Sequence, residues 1–208
     1  MGRSFQSPTG SGLYLSVILR PKCPAKDLMH LTCAAGVAAV NAVEHTAGIR
    51  PKLKWINDLV WEKKKLGGIL TELSFDVKTG LVDYAVVGIG INCRRPEDGF
   101  SAEVEKIAIT LEDTGHTVSV EELASNLVLS LWKLSDCLLT EKASIMDTYK
   151  SLCVTLGQQI TVIRGDNRFP AKAVGMDDEG ALVVLCEDGS LQTVNSGEVS
   201  VRGLWDYV

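Results

Sequence analysis

The stretch from residue 52 to residue 93, KLKWINDLVWEKKKLGGILTELSFDVKTGLVDYAVVGIGINC, decides the fold. It holds three apolar runs rich in β-branched residues, Leu53 to Trp61, Leu66 to Phe75 and Tyr84 to Cys93, each of strand length. The first carries Lys54 and Asn57-Asp58 in an apolar context, where a charge is costly unless something pairs with it, so a pocket is expected. Gly67-Gly68 opens the second run, and a glycine pair entering a strand marks a bulge or the close approach of another backbone or a ligand. The third is almost continuously apolar, which predicts a strand buried on both faces, with Gly88 and Gly90 alternating onto one of them. A ligand lying flat there would meet bare backbone.

Each feature also has a plainer reading. A Gly-x-Gly in a strand can be a packing device under a helix. The dinucleotide fingerprint is disfavoured, because it needs a third glycine opening a helix, whereas Cys93 stands there and Arg94-Arg95-Pro96 follows. Lys54 alone could be a snorkelling surface lysine, and Lys63-Lys64-Lys65 reads most simply as a solvated turn. The combination carries the weight.

KWINDL, KLGGILTE and VVGIGIN together closely resemble the KWPNDL, K-x-x-GIL-x-E and G-x-G-x-N series of biotin protein ligases, in the same order and at the same separations. Gly2-Arg3-Ser4-Phe5-Gln6-Ser7-Pro8 and Gly12-Leu13-Tyr14-Leu15-Ser16 resemble the end of that family's glycine/arginine loop and the strand after it. Ile56 stands where the family usually has proline. The family's core begins several dozen residues earlier, so the expectation is a chain truncated at its N-terminus, inside that loop.

The resemblance implies an α+β fold: a class II aminoacyl-tRNA synthetase-like mixed sheet, mostly antiparallel and backed by helices, followed by a small SH3-like β-barrel. It implies ATP-dependent conversion of biotin to biotinyl-AMP and transfer of biotin to a lysine of a carboxylase's biotin carrier domain, with ATP, biotin and Mg²⁺ as the small molecules. By the same resemblance Lys54 is the catalytic cation, Gly68, Gly88 and Gly90 line biotin with Lys54, and Asn92, Thr110 and Arg3 meet the nucleotide. Asn57 and Asp58 are expected to shape the turn that aims Lys54, and no metal-ligand set is expected in the protein. A homodimer is compatible with this reading. The alternatives are a lipoate ligase-like acyl-adenylate enzyme, an inactive fragment that only binds partners, and a biotin-responsive repressor whose DNA-binding part would lie outside this chain.

Composition sets the frame. In 208 residues, 46% hydrophobic and 23% charged is ordinary for a globular chain with a core of useful size. A net charge of −5 argues against a nucleic-acid partner for this chain. There is no signal-peptide layout and no long uninterrupted apolar run, so no membrane is expected and the reading is cytoplasmic. The six cysteines show no C-x-x-C and the three histidines no ligand spacing, which favours reduced, buried thiols over a zinc site or disulfides.

Taken in order, residues 12 to 20 read as a strand, and residues 25 to 46 as a helix with apolar positions at 28, 31, 35, 39 and 43 and an Ala-rich packed side. A polar loop, RRPEDGFSAEVEK over 94–106, leads into a short helix over 105–113, which in the ligase family lies by the adenine; Ala108 occupies a position that is aromatic in some members. Ser119-Val120-Glu121-Glu122 reads as a capping box, with Glu122 reaching back, ahead of a helix striped by Leu123, Leu127, Leu131 and Leu134. Another helix runs from about 142 to 153. Leu156-Gly157 marks a boundary between a catalytic domain, 1–155, and a C-terminal domain, 156–208, whose three turn signals near 165, 178 and 188 predict short strands.

Overall fold

The structure, a computed structural model, describes residues 9–195 and the backbone of 200–203. Arg3, with the rest of the segment 2–8, lies outside the described residues.

Five strands, β1 (Gly12–Leu19), β2 (Lys52–Lys54), β3 (Asp58–Trp61), β4 (Lys64–Phe75) and β5 (Val82–Asn92), form one sheet in the order β1-β5-β4-β3-β2. The strand pairs are antiparallel, and parallel pairing is confined to two isolated bridges, Leu53 with Cys153 and Lys65 with Ala108. The two-residue turn between β3 and β4 places Glu62 and Lys63 at φ 47° and 66°, the left-handed geometry that suits a tight hairpin between twisted strands. A bulge between Leu59 and Val60 shifts the β3–β4 register. The edge of β2 is covered by the chain leaving the last helix, where the Val154 N–H donates to the Leu53 carbonyl at 2.8 Å.

Helix α1 (Leu31–Ala47) lies on one face of this sheet, and helices α3 (Val120–Cys137) and α4 (Lys142–Leu152) pack over α1. That sandwich explains why α1 is buried on nearly every side, from Cys33 and Ala34 through Ala39 to Val43, and why it is built of alanine, valine and Gly36. The short helix α2 (Ala102–Ile107) precedes α3 on the far side of β4.

Four expectations change. The helix expected over 25–46 splits into a 3₁₀ turn, Ala25–Leu28, and α1, because the first segment is tied to the β4–β5 connection: Ala25 N–H donates to Gly80 O at 2.9 Å and Val82 N–H to Cys23 O at 3.0 Å. β5 is buried on one face only; Ala85, Val87, Ile89 and Ile91 face α1, while Val86, Gly88, Gly90 and Asn92 do not. The helix expected over 105–113 is displaced to 102–107, since Ile109 N–H is taken by Lys65 O and Leu111 N–H by Asn92 O, both at 2.9 Å. Ser119 caps α3 by accepting from Glu122 N–H at 3.1 Å, but its hydroxyl donates to the Glu121 carboxylate, and Glu122 does not complete the box.

The C-terminal unit is a small β-domain of β6 (Gln159–Arg164), β7 (Asn167–Met176), β8 (Leu182–Cys186), β9 (Leu191–Val194) and β10 (Ser200–Gly203), ordered β10-β6-β7-β8-β9. Its turns fall where glycine and acidic residues announced them, and Ile160, Val162, Ala173, Leu182 and Val184 fill its core.

Candidate active site

The register of the large sheet aligns one residue from each strand into a row: Lys54 opposite Asp58, Asp58 opposite Gly68, Gly68 opposite Gly90, Gly90 opposite Tyr14. The next row is Leu70, Gly88 and Ser16. Paired residues share a face, so these side chains stand on the side away from α1. Tyr14 is 40% exposed and Leu70 63%, and between them three glycines leave bare backbone. The result is a shallow trough with a glycine floor, a cationic end at Lys54 and an aromatic end at Tyr14.

The glycines are not equivalent. A methyl at Gly67, on the opposite face, would lie 2.5 Å from the Gly90 carbonyl oxygen, so packing alone demands glycine there. A methyl at Gly88 would meet Ser16 Oγ at 3.5 Å and the Leu70 carbonyl at 3.6 Å, which are ordinary contacts. Nothing in the packing requires Gly88 to be bare.

At the charged end, Lys54 is 7% exposed, and Lys65 Nζ lies 2.5 Å from Asp58 Oδ1. The expected solvated turn is therefore wrong for Lys65, which is half-buried in β4. The bulge opposite brings it beside Val60 and on to Asp58. Lys65 is also the leading lysine of the K-x-x-GIL pattern, the signal that a run of three lysines hides.

The loop of residues 55–57 between Lys54 and Asp58 is pinned from several directions. Asn57 Nδ2 donates to Ile69 O and Ile69 N–H to Asn57 O, both at 2.8 Å, and the Tyr149 hydroxyl donates to Ile56 O at 3.0 Å. Burial pushes the Tyr149 phenol well above its usual range, so it is a neutral donor. Asn57 shapes the turn, as expected, while Asp58 belongs to the charge cluster. The peptide between Trp55 and Ile56 is cis.

Asn92 follows the floor and uses its amide to hold the neighbouring chain, donating to Ile109 O at 3.1 Å and Lys65 O at 3.3 Å. Thr110 does not join the trough directly: it is fully buried, and both its hydroxyl and its N–H donate to Asp113 Oδ2, at 2.9 and 3.0 Å. Arg95 bridges Asp113 at 2.6 Å and Glu105 at 2.8 Å, which fixes this segment beside the trough. Burial pushes the Asp113 carboxyl up, but the hydrogen bonds from Arg95 and Thr110 outweigh it and hold the group below the usual range. Tyr14, Ser16 and Lys65 are the trough residues that sequence reasoning missed. For the first two, the signal was strand alternation opposite Gly88 and Gly90.

Among the described residues no group of three or more His, Cys, Asp or Glu could hold a metal ion. The six cysteines are unpaired, and burial raises the Cys33, Cys93 and Cys153 thiols, which disfavours thiolate chemistry. No helix among the described residues is long and apolar enough to cross a membrane.

Residues 1–92 match the biotin/lipoate A/B protein ligase family, and residues 155–202 match the biotin protein ligase C terminal domain. A point mutant of the Aquifex aeolicus biotin protein ligase, solved in complex with biotin, is 30% identical with a TM-score of 0.72 over 93% of this chain and 78% of that one. This chain belongs to the biotin protein ligase family. The same Aquifex ligase in complex with biotin and ATP superposes with a TM-score of 0.74 at 29% identity, over 93% of this chain and 79% of that one. The bifunctional ligase/repressor BirA of Bacillus subtilis is 30% identical over 97% of this chain. The chain spans 62% of the length of that relative.

Proposed function

We propose that the protein activates biotin with ATP to biotinyl-AMP and passes the biotinyl group to a lysine on a biotin carrier domain. The observation that carries this reading is the row Lys54–Asp58–Gly68–Gly90–Tyr14, a flat trough with charge at one end, in a chain whose relatives include a ligase bound to biotin and ATP. A bicyclic ring lying on the strands suits the floor of Gly68, Gly88 and Gly90, with Tyr14 beside it. The carboxylate then falls at the Lys54 end.

In the first step a carboxylate oxygen of biotin attacks the α-phosphorus of ATP; the new O–P bond forms as the bond to the β-phosphate oxygen breaks, and pyrophosphate leaves. Two anions meet, so fixed cations are needed, and Lys54 and Lys65 supply them in a partly dry setting where such charges count most. Asp58 holds Lys65 in place by its ion pair. Mg²⁺ arrives as part of the MgATP substrate, its oxygen ligands drawn mainly from phosphates. In the second step a deprotonated lysine amine of the carrier attacks the acyl carbon, AMP leaves, and the amine nitrogen loses its second proton. Asn92 orders the 109–111 segment against the nucleotide; Thr110 supports that segment through Asp113, and Arg3 contributes a cation to the phosphates.

The test is biotin-dependent pyrophosphate release from ATP, followed by transfer of labelled biotin to a carrier domain. Absence of biotin-dependent release would overturn the reading. Lipoate replacing biotin in that assay would move the protein to the lipoate branch of the family.

A further inference from the structure

The C-terminal unit reaches the loop that joins β2 to β3 through hydrogen bonds to Trp55. Trp55 follows Lys54 directly and is 6% exposed. Its backbone N–H donates to Thr155 Oγ1 at 2.9 Å, and its indole Nε1–H donates to the Gly180 carbonyl at 2.8 Å. Thr155 lies at the junction, where the match to the C-terminal domain of the family begins, and Gly180 sits in the turn between β7 and β8.

That turn is stiff. Asp177 Oδ1 accepts from Ala181 N–H at 2.8 Å and from Glu179 N–H at 3.0 Å. Gly180 has φ +88°, and a methyl on it would lie 2.9 Å from Cys33 Sγ, so only glycine brings this carbonyl against α1 and the indole. Ion pairs Lys142–Glu179 and Lys150–Asp178 flank the contact, but they are solvent-exposed and contribute little. The two Trp55 bonds are buried, where an orphaned donor is costly.

The loop is three residues long, and its other two residues are held by the catalytic domain itself, Ile56 by Tyr149 and Asn57 by Ile69. Trp55, the residue bonded to Lys54, is held by the β-domain. We infer that Trp55 is a positioning residue through which the C-terminal β-domain sets the placement of Lys54 and, across the hairpin, Asp58. The inference rests on the acyl-adenylate reading above for its consequence, but not for its geometry.

The experiment uses the full chain and five variants: Trp55→Phe, Gly180→Ala, the two combined, Thr155→Val and Thr155→Ser. Hydrogen exchange by mass spectrometry over residues 53–59 reads loop placement, and kcat and KM for biotin-dependent pyrophosphate release are measured well below each melting temperature. Trp55→Phe is expected to raise exchange across the loop and to lower kcat about ten- to a hundredfold, the scale of a small misplacement of a catalytic group. KM for biotin and ATP should stay within about twofold, since the loss falls on the transition state. The combined variant should be no worse than the worse single one, Thr155→Val should follow Trp55→Phe, and Thr155→Ser should match the parent. Unchanged loop exchange in Trp55→Phe and Thr155→Val overturns the inference, as does a lowered melting temperature with kcat per folded molecule unchanged. If the parent releases no pyrophosphate, the adenylate reading fails by itself, and loop exchange still decides whether the β-domain holds Lys54.

Discussion

The two faces of the five-stranded sheet are made by the same strands and obey different rules. On the face toward α1, Leu13, Leu59, Leu66, Ile69, Ala85, Val87, Ile89 and Ile91 form a continuous buried layer. On the other face the same strands present Tyr14, Ser16, Lys54, Asp58, Leu70 and bare glycine. Side chains on the first face are chosen by volume, and a change there acts on stability. On the function proposed above, side chains on the second serve a ligand, and a change there should leave stability alone. The comparison predicts a clean separation of effects.

The largest expected effect is on the inner face. Ile89→Ala removes three carbons from a site packed under α1 and should cost about 2–5 kcal/mol in a denaturant melt, with ligand affinity per folded molecule unchanged. Lost affinity at an unchanged melt would break the comparison. Next, Lys54→Ala on the outer face should slow biotin-dependent pyrophosphate release by about a hundred- to a thousandfold, the usual loss when one electrostatic stabiliser of a transition state is removed. Its melting temperature should hold, and Lys65→Ala should behave the same way. Activity within tenfold of the parent for either lysine, on the scale where each factor of ten is about 1.4 kcal/mol, would remove that residue from the reaction.

The adjacent glycines sharpen the contrast. Gly67→Ala must push its methyl against the Gly90 carbonyl and should cost about 1–3 kcal/mol of stability. Gly88→Ala meets only ordinary contacts and should change stability by no more than about 0.5 kcal/mol, while weakening biotin binding in calorimetry. The reverse pattern would assign Gly88 to packing and the trough to no ligand.

These contrasts also mark what could be read from sequence. The strands of residues 53–92 were legible because runs of β-branched residues between turn signals have few other solutions, and Lys54 stood out as a charge in an apolar run. The one-sided burial of β5 was not legible, because Val86 is as apolar as Val87 and glycine carries no polarity to reveal alternation. Lys65 was hidden for a different reason. Its direction depends on the bulge between Leu59 and Val60, a property of pairing with another strand. The displaced helix near 108 is of the same kind: local propensity favoured helix, and hydrogen bonds donated to the Lys65 and Asn92 carbonyls overrode it.

The smallest effect lies at the seam between the two units. His30 is fully buried, with Nε2 2.9 Å from the Leu138 carbonyl, and no hydrogen-bond partner reaches Nδ1 among the described residues. Burial pulls its pKa below the ordinary histidine value. The unfolded chain therefore binds the proton first, so stability should fall as pH drops below about 6.5 and level off once the folded-state pKa is passed. In His30→Gln the part of the pH slope that sets in below about 6.5, the ordinary histidine value, should flatten, as read from urea midpoints.

The bridge from Leu53 to Cys153, with Val154 bonded to the Leu53 carbonyl, makes the connection between the units a stitch in the sheet and not a tether. A fusion or split-reporter design that lengthens the chain between Leu152 and Thr155 would unpick the β2 edge and carry Lys54 with it. The exposed turn 97–99, closed by Gly99 in left-handed geometry, offers a cut site outside every strand pairing described above.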